Sequence, residues 1–181
     1  MTVPVERFRQ AVSRIRTQIT TEMRDLGGGP TELAAHAGQL SGIELLTRSM
    51  RGELPPPPAA LPFGLEMLQV EPGRVTMALE PAEWMCNATA SIHGGIAATL
   101  LDSVLGCAVH TTLPPATGYA TTDLHVRYLR RMSPDTGRVI ATATVTHPGT
   151  RYATAQGQIN VEATEQLIAT ATAGCIILRP S

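Results

Sequence analysis

Apolar residues recur at two different spacings along the chain, and the spacing changes near residue 60. Between residues 4 and 26 an apolar residue falls at every third or fourth position, namely at Val5, Phe8, Val12, Ile15, Ile19 and Met23. This spacing predicts an amphipathic helix, which ends at Gly27-Gly28-Gly29-Pro30. A looser stripe then predicts a second helix, which begins with Thr31 as its N-cap and runs to about Arg51.

Beyond residue 60 apolar and polar residues alternate, which is the pattern of half-buried strands. Six strands are predicted in this way, at residues 63–71, 74–80, 118–129, 138–147, 151–162 and 167–178. The pairs Pro72-Gly73 and Pro148-Gly149 predict tight turns. The run from Pro55 to Pro58 predicts an extended linker or strap before the first strand. We therefore expect a helical extension with a Pro-rich linker over residues 1–60 and a sheet domain over residues 61–181.

Between the second and third predicted strands lies a segment that is apolar on every side at helical spacing. From Gly95 to Val109 its one charged side chain is Asp102. A helix that is apolar all round belongs in a core, and Leu113-Pro114-Pro115 ends this one. Its length is on the order of 25 Å, about the span of a small domain. We expect an α+β architecture in which one antiparallel sheet curls around this central helix.

Composition argues against several classes of function. A formal net charge of −1 gives no bulk attraction to nucleic acid or to an anionic membrane. The sequence shows neither a start typical of a signal peptide nor an apolar run long enough to span a bilayer. Cys86, Cys107 and Cys175 lie at wide spacings, so we expect reduced, mostly buried thiols in a cytoplasmic protein. The histidines also lack ligand spacing, and we expect neither a metal nor a redox cofactor.

Three motifs within residues 62–178 carry a resemblance to a known family. They are FGLEMLQVEPGRVTMALEP, then Asn87-x5-His93-Gly94-Gly95-x3-TLLDSVLG, then GYATTDLHVRYLRR. In this combination the chain resembles the hotdog-fold acyl-CoA thioesterases of the phenylacetate-pathway type. The resemblance implies a hotdog fold and hydrolysis of an acyl- or aryl-CoA thioester to a free acid and CoA, without a cofactor. Residues 1–60 lie outside the resemblance.

The resemblance also implies roles for four residues. The Gly94 N–H and the Asn87 side chain would together bind and polarise the thioester carbonyl. Asp102 would be the acid that attacks the carbonyl as nucleophile or activates water as general base, and both mechanisms stay open. Thr121 falls where such enzymes place a hydroxyl near the attacking water.

The residues themselves support part of this scheme. His93-Gly94-Gly95 opens the central helix, where backbone N–H groups lack intrahelical partners and the helix dipole favours negative charge. Gly94 and Gly95 let a substrate carbonyl approach the backbone closely. For His93 we favour a role in orienting this turn over a role as proton carrier.

The spacing of the acid from the turn bears on the assembly. Asp102 lies nine residues past His93 (102 minus 93), which is two and a half helical turns. It cannot easily serve the His-Gly-Gly turn of its own chain. In the family that the chain resembles, the two halves of a site come from two subunits, so we expect a homo-oligomer, either a dimer or a dimer of dimers.

Simpler interpretations exist for each of these residues. Asp102 could be a structural carboxylate, although a lone acid in an apolar helix costs several kcal/mol unless it is paired or protonated, which favours catalysis. Asn87 could be a turn residue that satisfies backbone groups, and the two glycines could form only a tight turn. Ala90 departs from the family, which often has glycine there, and this puts the conformation of the loop between Asn87 and His93 in question.

Three arginines flank Tyr128 near the end of the third predicted strand, at Arg127, Arg130 and Arg131. They could simply be solvated. They could instead bind the phosphates of a nucleotide-bearing thiol carrier such as coenzyme A. Because a strand alternates faces, Arg127 and Arg130 point opposite ways, and at most two of the three can touch one ligand.

The function that we predict is acyl-CoA thioesterase. Two rivals are a non-catalytic acyl-thioester binding protein of the same fold and a hotdog acyl-thioester dehydratase, and a purely structural dimerisation domain is less favoured. A dehydratase needs a His and an Asp close together in one loop–helix segment, and Asp102 has no His at that spacing. With 3% aromatic residues, aryl and aliphatic acyl groups both stay possible. We further hypothesise that residues 1–60 pack over the acyl pocket or across the dimer and restrict the substrate.

Overall fold

One antiparallel sheet and one long helix form the core of the protein. The structure is a computed structural model that describes residues 4–26 and 30–179. The strands are β1 (Glu66–Glu71), β2 (Arg74–Leu79), β3 (Gly118–Tyr128), β4 (Val139–His147), β5 (Tyr152–Val161) and β6 (Leu167–Leu178). The helices are α1 (Val5–Asp25), α2 (Pro30–Ala37), α3 (Gly42–Met50), α4 (Ala60–Phe63) and α5 (Gly94–His110). All six predicted strands are confirmed, with shifted ends.

The sheet curls around α5 in the way that the alternating pattern predicts. Its strand order is β1-β2-β4-β5-β6-β3, and every neighbouring pair is antiparallel. The helix α5 packs against β2, β3, β4, β5 and β6. This architecture is the hotdog fold that the resemblance implies, and it leaves β1 and β3 as the two edges of the sheet.

The core lies between α5 and the inner face of the sheet. Leu101, Val104 and Leu105 of α5 have no exposed surface, and Val139 and Ile159 meet them from the sheet. Each fully buried aliphatic side chain stabilises the fold by about 1.5–3 kcal/mol relative to an exposed one. This packing fixes α5, and therefore fixes the functional groups that α5 carries.

The expectation that α5 is covered on every side is wrong for the single chain. Its exposed residues include Gly95 and Asp102, and Ala98, Thr99 and Ser103 beside them are half-buried. These positions recur every three or four residues and therefore form one stripe along the helix. A sheet that curls around a helix leaves an opening between its two edge strands, and the stripe faces that opening.

The single helix predicted between Thr31 and Arg51 is two helices, α2 and α3. A capping box separates them: the Ser41 hydroxyl accepts a hydrogen bond from the Glu44 N–H at 3.4 Å, and the Glu44 carboxylate accepts one from the Ser41 N–H at 2.9 Å. Such a box begins a new helix because it satisfies N–H groups that would otherwise lack partners. At the start of α3 the Gly42 N–H donates to the Leu113 carbonyl at 3.0 Å, which ties α3 to the far end of α5.

The first predicted helix is confirmed as α1, and the residues expected to end it, Gly27 to Gly29, lie outside the described part of the chain. Its apolar stripe is not buried: Val5, Phe8 and Ile15 are each more than half exposed, at 66%, 63% and 57%. The end of α1 is different, because Met23 and Leu26 border a small gap with Pro56 to Pro58. Only this end of α1 therefore adjoins the linker in the single chain.

The short helix α4 accounts for the late start of β1. Phe63, predicted to begin the first strand, is instead the last residue of α4. Gly64 ends that helix with φ of +61°, a left-handed conformation that glycine adopts without strain. Within the described residues, no helix is both long and apolar enough to cross a lipid bilayer.

Candidate active site

The His-Gly-Gly turn forms the first turn of α5, as the sequence predicts. His93 is the N-cap, and its Nδ1 atom accepts a hydrogen bond from the Gly95 N–H at 2.9 Å. The Tyr128 hydroxyl, from the end of β3, donates to the Gly94 carbonyl at 3.0 Å. The imidazole of His93 therefore caps the turn through its side chain, and its role in orienting the turn for a substrate stays a prediction.

Gly94 presents a free backbone donor at this turn. Its N–H has no acceptor among the residues that the structure describes, which is usual in the first turn of a helix. A Cβ atom added at Gly94 would lie 3.3 Å from Cζ of Tyr128, so glycine leaves room between the turn and the ring. The turn thus offers an N–H donor at the positive end of the α5 dipole.

Asn87 holds the loop that leads into this turn. Its Oδ1 atom accepts hydrogen bonds from the Thr89 N–H at 2.9 Å, the Thr89 hydroxyl at 2.8 Å and the Ser91 N–H at 3.3 Å. The Oδ1 atom of Asn87 therefore has the role of a turn residue that satisfies groups of the loop. Its amide nitrogen is the end that could donate to a substrate oxygen.

Ala90 lies in the same loop with φ of +54°, in the left-handed region. This is the position where the resemblance implies a glycine. The conformation costs an alanine about 1–2 kcal/mol, so contacts elsewhere must hold the loop in place. The loop keeps the geometry that a glycine favours although glycine is absent.

Arg131 supplies those contacts. Its Nη2 atom donates to the Ala90 carbonyl at 2.7 Å and to the Thr89 carbonyl at 3.0 Å, and its Nε atom donates to the Ser91 hydroxyl at 3.1 Å. All three acceptors belong to the loop between Asn87 and His93. The guanidinium of Arg131 is therefore committed to the loop in this structure.

The other two arginines lie apart from Arg131. Arg130 donates to the Leu167 carbonyl at 2.8 Å and so joins the end of β3 to the start of β6. Arg127 lines a surface hollow with Arg74, Gln156 and Gln158. That hollow includes neither Asp102 nor the turn at Gly94, so the structure does not bring the three predicted arginines together.

Asp102 is exposed on the open stripe of α5, and its carboxylate has one side-chain partner among the described residues. The Thr121 hydroxyl donates to Oδ1 of Asp102 at 2.9 Å. The argument that burial in an apolar helix makes this acid costly is therefore wrong for the single chain. The pairing of Asp102 with Thr121, two residues that the resemblance places in one site, is present.

A β-bulge in β3 positions Thr121. Thr121 pairs with Cys175 and Asp123 pairs with Gly174, so Thr122 is an extra residue in β3. Because of the bulge, the inward-facing residues of β3 change from odd to even positions. Before the bulge, Thr121 faces Asp102. After the bulge, Leu124 and Val126 pack on the core. A polar and an apolar inner surface can therefore follow each other along one strand.

Side chains on the outer face hold the bulge. The Thr122 hydroxyl donates to the Gly174 carbonyl at 3.1 Å, and the Tyr152 hydroxyl donates to Oδ2 of Asp123 at 2.8 Å. Hydrogen bonds from Tyr152 and Thr122 lower the pKa of the Asp123 carboxyl. At Gly174 a Cβ atom would overlap the Tyr152 hydroxyl and the Asp123 carboxylate, so a larger residue there would displace the side chains that hold the bulge.

A cavity of about 910 Å³ opens beside Asp102 and Thr121. From α5 and the sheet it is lined by Asp102, Ser103, Cys107, Tyr119, Ala120, Thr121, Leu65, Glu66, Met67 and Met77. From the N-terminal part it is lined by Leu26, Ser49, Met50, Gly52, Glu53, Leu54, Pro55, Pro56, Pro57, Ala59 and Ala60. Residues of the segment 49–60 and Leu26 therefore border the cavity, whereas the apolar stripe of α1 does not. The hypothesis that residues 1–60 pack over the pocket or across a dimer and restrict the substrate stays a prediction.

Two ionisable groups in the cavity wall stay neutral at ordinary pH. Burial raises the pKa of the Cys107 thiol to about 12, with a smaller contribution from the Asp102 charge. Burial also raises the pKa of the Tyr119 phenol well above its usual value. Cys107 is therefore a packing residue rather than a thiolate nucleophile, as its sequence context indicates.

The turn at Gly94 and the acid at Asp102 are not brought together by the helix that carries both. Eight residues separate them (102 minus 94), a rise of about 12 Å along α5 at 1.5 Å per residue. The distance expected from the sequence is thus kept in the structure. The described residues also contain no group of three or more His, Cys, Asp or Glu side chains arranged to hold a metal ion.

Sequence reasoning missed three features of this region. It did not identify Arg131 as the residue that holds the loop, Tyr128 as the partner of Gly94, or Asp123 with Tyr152 as the support of the bulge. The polar residues Thr121 to Asp123, which interrupt the alternation of β3, were the available signal for the bulge. The contacts of Arg131 join residues about 40 positions apart and leave no periodic trace in the sequence.

Solved structures similar to this chain include proteins described as thioesterases. A protein of Ralstonia eutropha JMP134, described as "a putative thioesterase, phenylacetic acid degradation-related protein", is 26% identical with a TM-score of 0.65, over 72% of this chain and 97% of that one. A thioesterase family protein from Silicibacter pomeroyi is 24% identical with a TM-score of 0.67, over 74% and 98%. The E. coli PaaI protein of the phenylacetic acid degradation operon shares the fold at 19% identity, with a TM-score of 0.64 over 79% and 97%.

A shorter similarity links the chain to a Halobacterium salinarum protein named "Putative esterase VNG_1336C". The two are 46% identical over 67 residues, which are 36% of this chain and 42% of that protein, so the match spans less than half of this curated relative. A family model matches more: the domain of unknown function DUF4442 matches residues 54–176. That range begins in the linker and includes the turn at Gly94, Asp102, Thr121, the first five strands and β6 up to Ile176, and the chain therefore belongs to the DUF4442 family.

Proposed function

We propose that the protein is an acyl-CoA thioesterase, which hydrolyses an acyl- or aryl-CoA thioester to a free acid and CoA. The observation that carries the proposal is the hydrogen bond from Thr121 to Asp102 at the edge of a large, mainly apolar cavity. A carboxylate held by a hydroxyl beside an acyl-sized cavity supplies both a group that activates water and a place for the acyl chain. The similarity to proteins described as thioesterases supports the same reaction.

The proposed reaction uses two groups of residues. Asp102 accepts a proton from water as the water oxygen attacks the thioester carbonyl, or its own oxygen attacks that carbonyl to form an anhydride that water then hydrolyses. Thr121 fixes the carboxylate through its hydrogen bond. In the first route the C–S bond of the tetrahedral intermediate then breaks, the thiolate of CoA takes up the proton from Asp102, and the carboxylic acid leaves. In the second route the C–S bond breaks as the anhydride forms and releases the thiolate of CoA. Water then cleaves the anhydride, which restores the Asp102 carboxylate and gives the carboxylic acid and the proton that the thiolate takes up.

The negative charge that develops on the carbonyl oxygen needs donors. We assign these to the Gly94 N–H and the Asn87 amide, with His93 and Gly95 shaping the turn. Backbone N–H groups that point at a developing oxyanion contribute several kcal/mol to such reactions. The phosphates of CoA would lie near this loop and near the arginines at the end of β3. Arg131 already binds the loop, so its neighbour in sequence, Arg130, is the arginine that would contact the phosphates.

Because the turn and Asp102 are separated along α5, we propose that each site combines Asp102 and Thr121 of one subunit with the turn of another. The protein would then be a homodimer or a dimer of dimers. Support comes from the edge strand β3 and from the open stripe of α5, which leave polar and apolar surface uncovered beside Asp102. The three cysteines are free, in keeping with a cytoplasmic protein that handles CoA esters.

The substitution Asp102→Asn tests the assignment of the acid. The amide keeps the size of the side chain but cannot take a proton from water, so we expect turnover of acyl-CoA to fall by about 100-fold or more. Free thiol release measured with a chromogenic disulfide gives the rate, and circular dichroism checks the fold. Because the native Asp102 is exposed, the variant should fold normally.

Asp135→Asn is the matched control, since Asp135 is an exposed acid in a 3-10 turn that does not line the cavity. It should keep the wild-type rate. If Asp102→Asn is as active as the wild type, Asp102 is not the catalytic acid. If the wild-type protein binds acyl-CoA but releases no thiol, the rival interpretation as a non-catalytic acyl-thioester binding protein is correct.

A further inference from the structure

The cavity beside Asp102 is bounded on one side by a segment that lies outside both the six-stranded sheet and α5. We define the strap as residues 52–60, which join α3 to α4. Eight residues of the cavity wall belong to this segment, namely Gly52 to Pro57, Ala59 and Ala60. The strap therefore closes a space that would otherwise open to solvent between α5 and β1.

Hydrogen bonds hold the strap in one conformation. The Ser49 hydroxyl donates to the Pro55 carbonyl at 3.3 Å, and the Glu53 N–H donates to the Arg48 carbonyl at 2.9 Å. At the other end the Ala60 N–H donates to the Pro57 carbonyl at 2.8 Å. Four successive prolines between these anchors restrict the backbone further. A wall with so little freedom is already formed before a ligand binds, which favours binding.

The chemistry of the wall selects an uncharged, apolar occupant. Its larger aliphatic side chains are those of Leu26, Leu54, Leu65, Met50, Met67 and Met77. Thioether side chains adapt to flexible ligands. Tyr119 is the one aromatic ring in the described lining. A flexible chain packs against such a surface better than a planar ring, which gains most from aromatic neighbours.

Charge excludes the phosphate-bearing part of a thioester from the same space. The charged residues of the described lining are Glu53, Glu66 and Asp102, and all three are acids. No basic residue of the described chain lines the cavity. A nucleotide diphosphate would be repelled there, so the acyl group is the part of the substrate that this space can hold.

We propose that the cavity is the acyl-chain site of the thioesterase and that it takes long, flexible aliphatic acyl groups. Its volume of about 910 Å³ lies near the upper end for ligand pockets and exceeds what a short acyl group or a single aromatic ring fills. The strap, and Leu54 in particular, sets the upper limit of chain length. This inference rests on the proposed function, since it assigns the thioester carbon to the end of the cavity at Asp102.

A series of non-hydrolysable ligands tests the site apart from catalysis. S-alkyl-CoA thioethers with alkyl chains of about 4, 8, 12 and 16 carbons, and S-benzyl-CoA, are titrated into the full chain by calorimetry. Each buried methylene changes the affinity about three- to fourfold, so steps of about four carbons give differences that calorimetry resolves. We expect the dodecyl ligand to bind at least about 100-fold more tightly than the butyl ligand. We also expect it to bind more tightly than the benzyl ligand.

Two substitutions, Leu54→Trp and its alternative Ala59→Trp, place a large ring on the strap side of the cavity. Leu54→Trp should move the tightest binding, and the chain length with the highest kcat/KM, to shorter chains. Leu68→Trp makes the same change at a partly exposed position on β1 that does not line the cavity, and it should keep the wild-type profile. If Leu54→Trp does not fold, Ala59→Trp serves instead, because Ala59 lines the cavity from an exposed position. Thermal melting identifies a variant that fails to fold.

The outcomes separate the two proposals. In one outcome affinity depends on chain length, Leu54→Trp shifts the tightest binding to shorter chains, and no acyl-CoA releases thiol. That result supports the acyl-chain site and contradicts the thioesterase activity. Thiol release with equal affinity for all chain lengths keeps the thioesterase and rejects the site. Tightest binding of the benzyl ligand, or an identical shift in Leu54→Trp and Leu68→Trp, also overturns the inference.

Discussion

At the scale of single residues, Ala90 shows how the active-site loop keeps its shape at a cost. Its φ of +54° would suit a glycine, which the resemblance implies at this place. We predict that Ala90→Gly raises stability by up to about 1 kcal/mol, because relief of about 1–2 kcal/mol of strain exceeds the roughly 0.4–1 kcal/mol that the freer unfolded chain costs. Urea unfolding of the two proteins measures the difference.

Ala116→Gly is the matched control for this prediction. Ala116 also has a left-handed φ, of +58°, but lies between α5 and β3 and does not line the cavity. Both variants should gain similar stability, whereas only Ala90→Gly should change kcat/KM, because only that loop carries Asn87. A loss of stability in Ala90→Gly would show that the loop is not strained at this residue.

Asp102 shows where reasoning from single residues was sound and where it was not. The sequence identified the residue as the one acid in an apolar helix, and the structure joins it by a hydrogen bond to Thr121, a residue that the resemblance places in the same site. The argument that Asp102 is costly because it is buried is wrong, since Asp102 lies on the exposed stripe of α5. Periodicity cannot reveal the exposed stripe when small residues such as Ala98 and Thr99 belong to it, because such residues also fit a buried helix.

At the scale of elements, the strands were predictable and the N-terminal helices were less so. Strand side chains alternate between a core and solvent, so the pattern of β5 in the sequence is the pattern of its burial. The break between α2 and α3 depends on a capping box at Ser41 and Glu44, which short polar residues form without interrupting the apolar stripe. The stripe of α1 correctly predicted a helix but could not specify what the helix packs against.

The loop between Asn87 and His93 also depends on a distant element. We predict that Arg131→Lys lowers kcat/KM by about tenfold, since a lysine cannot reproduce the paired donors that hold Thr89, Ala90 and Ser91. The loss should be the same for an acyl-CoA and for an acyl-pantetheine, which lacks the phosphates of CoA. Thiol release from both substrates measures it.

Comparison of the two substrates distinguishes the two roles considered for Arg131. If Arg131 binds a phosphate of CoA, as the cluster of arginines first suggested, Arg131→Lys would impair only the acyl-CoA reaction. Arg127→Lys is the control, because Arg127 lies in a hollow that includes neither Asp102 nor the loop. It should leave hydrolysis of acyl-pantetheine unchanged.

At the scale of the whole molecule, the separation of the Gly94 N–H from Asp102 along α5 is the basis of our proposal that each site combines residues of two subunits. The Gly94 N–H and Asp102 sit about 12 Å apart along one rigid helix, too far for one thioester carbonyl to meet both. No adjustment of side chains within one subunit shortens a helix. A second copy, with its α5 running past the first, is the simplest way to bring a turn and an acid from different chains together.

Mixed assemblies of two inactive variants test this arrangement. Gly94→Pro removes the N–H, and proline is tolerated there because Gly94 is the first helical residue and the preceding His93 is extended, with ψ of 132°. We expect Gly94→Pro to lower kcat by about 100-fold or more. Gly94→Ala places a Cβ equally close to Tyr128 but keeps the N–H, so it should lose far less activity.

Co-expression of Gly94→Pro and Asp102→Asn chains, with different affinity tags to isolate the mixed dimer, then gives the decisive measurement. If each site takes its turn and its acid from different chains, one site of the mixed dimer carries both defects and the other carries neither. The purified mixed dimer should therefore regain about half of the wild-type activity per dimer. If turn and acid serve one site within a single chain, both sites stay defective and the mixed dimer is as inactive as its parents.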